Sequence, residues 1–297
     1  MLTINVAPDG SGQFTTISEA VLAVPYDCSA VIRIAPGIYR EKLVCEKKDI
    51  TLAGAGMDAT RLVWNDGGKL PHPDGRPTHT FRSYTAFFSG EKLRVEDMTI
   101  ENDAGPGAKA GQAIAAYVDS ARAAFSRVRL LGNQDTLFCA PLPEKEREKD
   151  GFLGPRGLAP RRASAQYYHA CEIAGDIDFI FGGADALFEH CTLRTVDNGL
   201  AHSWVRTLRC GTGAGLCVLG LRFCLGLPGG QRVSGQTVAA YRQNGGAGLP
   251  PWGAYCARGL CRLERPHRHG AGRLCRSRQH RRGRRGAPRL GTGAFGC

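Results

Sequence analysis

Between residues 1 and 199 the chain alternates short β-branched and aromatic runs with clusters of Gly, Asn and Asp. The runs "AVIRIAPGIY", "DITLAGAG", "LRVEDMTIEN", "AAFSRVRLLGNQDTLF", "YYHACEIAGDIDFIFG" and "ALFEHCTL" follow one another in that order. Each is of strand length and bounded by turn residues, the mark of short strands. Equivalent runs recur every twenty to twenty-five residues or so, and a fixed period of that size signals stacked repeats. The pattern predicts an all-β fold, a right-handed parallel β-helix. One stretch has another period: "TTISEAVLAV" places apolar residues at helical spacing behind a Thr, which predicts a short N-terminal capping helix over the first coil. An open solenoid needs such a cap.

Residues 141–163, "PLPEKEREKDGFLGPRGLAPRRA", break the pattern with charge, Pro and Gly. They read as a long loop, either a solvated excursion or the wall of a cleft.

Composition changes this picture at one point only. The chain has 297 residues, 42% of them hydrophobic, enough for a substantial core, and a net charge of +12 that suggests a polyanionic partner. That charge is not spread evenly. From residue 200 onward there are 17 Arg, no Lys, no Asp and one acid, Glu264, whereas residues 1–199 hold 22 basic and 26 acidic side chains. The expected organisation is therefore a β-helix over 1–199 and an Arg/Gly/Cys-rich segment over 200–297. Five cysteines precede residue 200 and seven follow it, without a CxxC pair, so neither a zinc site nor a disulfide framework is expected. No signal peptide is visible in "MLTINVAPDG" and no run reaches membrane-spanning length, from which a cytoplasmic protein with no membrane partner is expected.

Two carboxylates end successive apolar runs: Asp135 in "GNQDTLF" and Asp178 in "GDIDFIFGG". On neighbouring coils they lie about 4.8 Å apart along the ladder, close enough for one to stay ionised as nucleophile or base while the other holds a proton. Asp176 competes with Asp178, two residues away on the same face of the pleat. Two amides flank the pair, Gln112 in "AGQAIAAY" and Gln134 beside Asp135, and an amide NH2 aimed at a developing oxyanion contributes roughly a hundred- to a thousandfold in rate. Asp, Asp and Gln without a metal motif suit acyl or glycosyl transfer. The same residues also suit the turns and ladders of a solenoid. His169 and His190, in or beside apolar strands, read as structural. Cys171 and Cys191, about one coil apart, read as stacked buried thiols.

"GNQDTLF" and "GDIDFIFG", with "APDGSGQFTTISEAV", "PGIYREKL" and "TFRSYTAFFSGEKLRVEDMTIENDAGP", closely resemble the pectin methylesterases (pectinesterases, carbohydrate esterase family 8) over residues 6–199. The resemblance implies that Asp178 attacks a methyl ester carbonyl and that Asp135 is general acid and then base. It implies that Gln112 and Gln134 hold the oxyanion and that Thr80, Phe138 and Phe181 contact the sugar. No metal or cofactor is implied. The implied partner is pectin or methylated oligogalacturonides, met by a monomer. Asp176 gives way to Asp178 on this reading.

The family also carries a block "LGRPW", whose Arg pairs with the nucleophilic Asp and whose Trp stacks on the sugar, and an ending like "EGWxxW". The chain instead reads "VSGQTVAA" over 233–240 and "ARGLCRLERPHRHG" over 257–270. Read one base further along, codons for the first are compatible with "YLGRPWRP" and codons for the second with "PEGFVDWNDPTATG". The strand-like "GLCVLGLRF" is compatible in the same shifted frame with a "GFVFLDCxF" strand. Three matches in one frame and in order predict that residues from about 200 are an out-of-frame translation of a pectinesterase C-terminus. A polypeptide with that segment is expected to be inactive or nearly so. A non-catalytic polygalacturonate-binding β-helix is the alternative. Nucleic-acid binding through "RSRQHRRGRRGAPRL" is disfavoured, since the segment lacks Lys, interleaved aromatics and any recognition motif.

Overall fold

A computed structural model describes residues 1–146 and 148–196, together with the backbone of three further strands, Cys217–Leu219, Leu221–Gly226 and Arg232–Thr237. All of these residues belong to one compact unit. The remaining residues of the 200–297 segment lie outside the description.

The fold is the expected parallel β-helix. One sheet forks into two arms, and a second sheet of five strands closes the coil. The long strands Lys92–Asn102 and Arg122–Leu131 belong to both arms. Their first halves pair with Asp49–Ala53 and Ala165–His169, their second halves with Thr60–Trp64 and Glu172–Gly175, all in parallel. Asp97 and Arg127 mark the bend within these strands. They share a left-handed backbone, φ 56° and 53°, with Ala170 and His190 on the next two coils, φ 52° and 54°. Corners stacked in this way keep every coil in step. The parallel ladder continues through Cys217–Leu219 on Leu187–Glu189 and Leu221–Gly226 on Thr192–Arg194. Arg232–Thr237 departs from the expected pattern by running antiparallel to Leu221–Gly226.

The predicted capping helix is Ile17–Ala23. Thr16 caps it by accepting from the Glu19 N–H at 3.2 Å. Glu41, from "PGIYREKL", reaches across to accept from the Ile17 and Ser18 N–H groups at 2.8 Å each, which satisfies orphan donors and sets a negative charge at the positive helix end. Ile17, Ala20 and Val21 are buried over the first coil.

Inside the coils, inward positions stack like on like. The Phe125 and Tyr168 rings lie 5.0 Å apart and those of Tyr168 and Phe188 4.5 Å apart, both stacked. Fully burying each such ring contributes about 1.5 to 3 kcal/mol. The Tyr168 hydroxyl donates to Gln166 Oε1 at 2.7 Å, and Gln166 Nε2 donates to the Val118 carbonyl at 2.9 Å, so the buried polar atoms are paired. Cys171 and Cys191 are free and buried. The neighbouring Cys191 thiol and burial push the Cys171 thiol well above the usual thiol range.

The outer face of the five-stranded sheet is apolar as well. Val44, Phe87, Tyr117, Phe138 and Phe181 stand in register on successive strands. The 141–163 loop lays two apolar contacts, Leu142 and Phe152, over part of this ladder, while residues 144–146 and 148–150 between them are exposed to solvent, so the loop is both cover and excursion. Leu142 and Phe152 are buried against the aromatic face, although Leu158 is fully exposed. Arg161 gathers the loop by donating to the carbonyls of Pro143, Arg156, Ala159 and Gly157 at 3.1, 2.9, 2.7 and 3.2 Å. Arg156 Nε meets Asp119 Oδ2 in a charge contact without the alignment of a hydrogen bond, and the Asp119 side chain is only 4% exposed.

Burial lifts the Asp119 carboxyl above its ordinary 3.8, with Arg156 and Arg162 opposing the rise. A carboxyl raised by folding contributes fully below its unfolded value, and that contribution is lost as pH climbs through the raised value. Arg156→Met removes the nearest opposing charge. It is expected to cost about 3 kcal/mol at pH 7 and clearly less near pH 3, which lies below both the ordinary and the raised value, so that Asp119 is protonated. Urea unfolding at the two pH values measures the difference.

Candidate active site

Two stacked turns carry the carboxylates. Leu137 pairs with Ile180 and Phe138 with Phe181, so Asp135, two residues upstream, stands in register with Asp178. Hydrogen bonds tie the turns rung to rung: Asp135 N–H to the Ile177 carbonyl at 2.9 Å, Asp176 N–H to that of Asn133 at 3.0 Å, and Leu137 N–H to that of Phe179 at 2.9 Å. Thr136 Oγ1 adds a bond to the Ala174 carbonyl at 2.9 Å. Neighbouring rungs of a parallel ladder are about 4.8 Å apart, which brings the two aspartates to one patch of surface. Both have left-handed backbones, φ 65° and 46°, a region that Asp enters more readily than most residues. Asp135 is 8% exposed and Asp178 half-buried.

Asp176 differs from Asp178 in kind. It is 1% exposed, and its Oδ1 accepts from the Ile177 N–H at 2.6 Å. Its carboxylate holds the turn together and faces no solvent.

The amides arrive from the same edge. Ala116 pairs with Leu137, and the Ala113 N–H donates to the Gln134 carbonyl at 2.9 Å, so Gln112 lies one coil before Asn133 and Gln134. Both glutamines are half-buried. Among the described residues neither side-chain amide is taken up in a hydrogen bond. Three consecutive coils thus set Gln112, then Gln134 and Asp135, then Asp178 just ahead of the strands Ala116–Val118, Leu137–Cys139 and Ile180–Gly182.

The three sugar-contact candidates fall close by, in different settings. Thr80 is half-buried at the start of a 3-10 turn, Thr80–Arg82. The Phe138 and Phe181 rings meet at a tilt with centroids 4.7 Å apart, and the Phe81 ring lies 4.9 Å from that of Phe138. Under Phe81 and Phe152, Phe138 is fully buried and Phe181 only 6% exposed. Sequence reasoning passed over Phe81, Phe87, Tyr117 and Phe152, which complete this aromatic layer. The alternation within "TAFFS" is the available signal for Phe87, whose neighbours Ala86 and Phe88 face the inner core; "IAAYV" carries no such alternation, since Ala115 and Ala116 both belong to the core while Ile114 and Tyr117 face outward. Among the described residues no cluster of three His, Cys, Asp or Glu side chains is arranged to hold a metal ion, and no helix is long and apolar enough to cross a membrane.

The family model for pectinesterase matches residues 3–142 and 161–204, well over half of the chain. The chain belongs to the pectinesterase family. The unmatched interval, residues 143–160, falls within the arginine-gathered loop. Pectinesterase 31 of Arabidopsis thaliana is 34% identical over 204 residues, covering 66% of this chain and 57% of that protein. The pectinesterase/pectinesterase inhibitor PPE8B of Prunus persica is 36% identical over 193 residues, covering 63% of this chain and 31% of that one. The chain thus spans well under two thirds of the length of either relative. Among solved structures, pectin methylesterase from carrot superposes with a TM-score of 0.62 at 30% identity, over 75% of this chain and 63% of the other. A pectin methylesterase solved in complex with a hexasaccharide gives 0.63 at 25% identity, over 77% and 67%.

Proposed function

We propose that the fold is built to hydrolyse methyl esters of homogalacturonan or its oligomers, releasing pectate and methanol. The observation that carries this reading is the register of Asp135 with Asp178 on adjacent coils, with Gln112 and Gln134 on the same edge. The Asp178 carboxylate attacks the ester carbonyl, and the oxygen that gains charge is met by the NH2 groups of Gln112 and Gln134. The C–O bond to methoxide breaks as Asp135 delivers its proton, leaving an anhydride on Asp178 and free methanol. Water then attacks the anhydride while Asp135 takes its proton, which frees the galacturonate and returns both carboxyls to their starting states. Every step uses side chains alone and calls for no cofactor. Sugar contact at Phe138 and Phe181 requires the Phe81 and Phe152 cover to move aside, while Thr80 is already partly open.

In this reading residues from about 200 are an out-of-frame translation, and the chain as written is impaired. The end of the family match at residue 204 is compatible with that reading. The second reading is a β-helix that binds polygalacturonate without turning it over. Methanol release from methylated oligogalacturonides, with calorimetric binding of unmethylated ones, separates the two. Binding with no methanol at any enzyme concentration overturns the esterase for this chain.

A further inference from the structure

Gln112 and Gln134 each abut a glycine from a different segment. A Cβ on Gly68 would fall 2.9 Å from Gln112 Oε1, with the next nearest atom at 3.4 Å. A Cβ on Gly107 would fall 2.5 Å from Gln134 Oε1 and 3.1 Å from that residue's own Cβ. Neither glycine has a left-handed φ, so neither position draws on glycine's backbone freedom. What each position lacks is room for a side chain.

Both glycines are themselves held in place. The Gly68 N–H donates to the Gln112 carbonyl at 2.7 Å, and the Gly68 carbonyl accepts from the His79 N–H at 2.9 Å. Lys69, the next residue, donates its backbone N–H to Ala110 at 2.9 Å and its Nζ to the carbonyls of Gly107 and Ala108 at 3.3 Å each. The Gly107 carbonyl also closes the turn by accepting from the Gly111 N–H at 2.9 Å. One lysine therefore links the two glycine segments into a single abutment.

We propose that Gly68 and Gly107 are positioning residues: each leaves the space in which one glutamine carbonyl oxygen is seated, and so sets the direction in which the NH2 of that amide points. In a planar amide the two ends are fixed relative to one another, so a seated oxygen aims the nitrogen. The inference rests on the proposed role of Gln112 and Gln134 as oxyanion donors. A methyl group at either glycine meets first the far end of a flexible side chain, so the cheapest relief is rotation of the amide, joined at Gly107 by a shift of a few tenths of an ångström at the Gln134 Cβ.

The test uses Gly68→Ala and Gly107→Ala, made both in the chain as written, for the spectra, and in a chain whose reading frame continues into the "LGRPW" block, which is the parent for the kinetics. Side-chain NH2 signals of Gln112 and Gln134 are identified in nitrogen-15 spectra by their loss in Gln112→Ala and Gln134→Ala. Gly68→Ala is expected to move the Gln112 pair and spare that of Gln134, and Gly107→Ala to do the reverse, with melting temperatures within a few degrees of the parent. On methyl ester substrate each variant is expected to lose roughly ten- to a hundredfold in kcat with KM within about twofold, because misplacing a catalytic group by an ångström costs about that much. Gly68→Ala should then cost nothing further in a Gln112→Ala background, and Gly107→Ala nothing further in Gln134→Ala. Unmoved amide signals, or equal losses with and without the glutamine, overturn the inference. Shifted signals in a parent that releases no methanol leave the seating intact and overturn the esterase reading instead.

Discussion

Asp178→Ala, made in a chain whose reading frame continues into the "LGRPW" block, is expected to lower kcat for methanol release on the order of 10⁴-fold or more. Removing a nucleophile removes the covalent route altogether, and what survives comes from binding and the oxyanion donors. Asp135→Asn should lose about 10² to 10⁴, the range of general acid-base catalysis. The informative control is Asp176→Asn. That side chain is 1% exposed and uses Oδ1 to accept the Ile177 N–H, an interaction an amide oxygen reproduces. Its kcat should stay within about threefold of the parent, by the small cost of keeping a hydrogen bond intact. Steady-state methanol release by the three variants ranks them. A dead Asp176→Asn beside an active Asp178→Ala would falsify the assignment of the nucleophile.

Restoring the frame near codon 200 is expected to raise kcat/KM by at least about a hundredfold over the polypeptide as written. The resemblance assigns the missing block an arginine for the nucleophile and an indole for the sugar. A charge-assisted hydrogen bond of that kind contributes roughly 1.5 to 3 kcal/mol, which alone is about ten- to a hundredfold. Stacking on the sugar and the rest of the cleft lip add to it. Sequencing independent template from codon 190 onward decides whether the shift lies in the gene. Assaying both polypeptides decides whether it matters, and equal activity in the two would remove any catalytic role for the block.

The solenoid was legible because its signal is repeated: each apolar run, taken alone, is an ordinary strand, but six at one spacing admit few folds. The register of Asp135 with Asp178 follows from the same repeat, since each stands two residues ahead of a strand at the same point of successive coils. The cover over the aromatic face was not. "PLPEKEREKDGFLGPRGLAPRRA" is charged and rich in Pro and Gly, which describes a solvated loop equally well. Its order comes from arginines satisfying backbone carbonyls and from a buried contact with Asp119, interactions that no local pattern encodes. Gly68 and Gly107 were invisible too. A glycine placed for the sake of a distant side chain looks like any loop glycine until the two are brought together.

Asp135 and Asp178 are separated along the chain by the whole of that covering loop and the strands that follow it, yet their separation in space is set by one rung of hydrogen bonds. The spacing of the two carboxyl groups is thus uncoupled from the length of what lies between. An insertion or deletion in the cover changes the path of the chain outside the ladder and leaves the rung count between the two turns at one. In a solenoid, neighbourhood in space is counted in coils and not in residues.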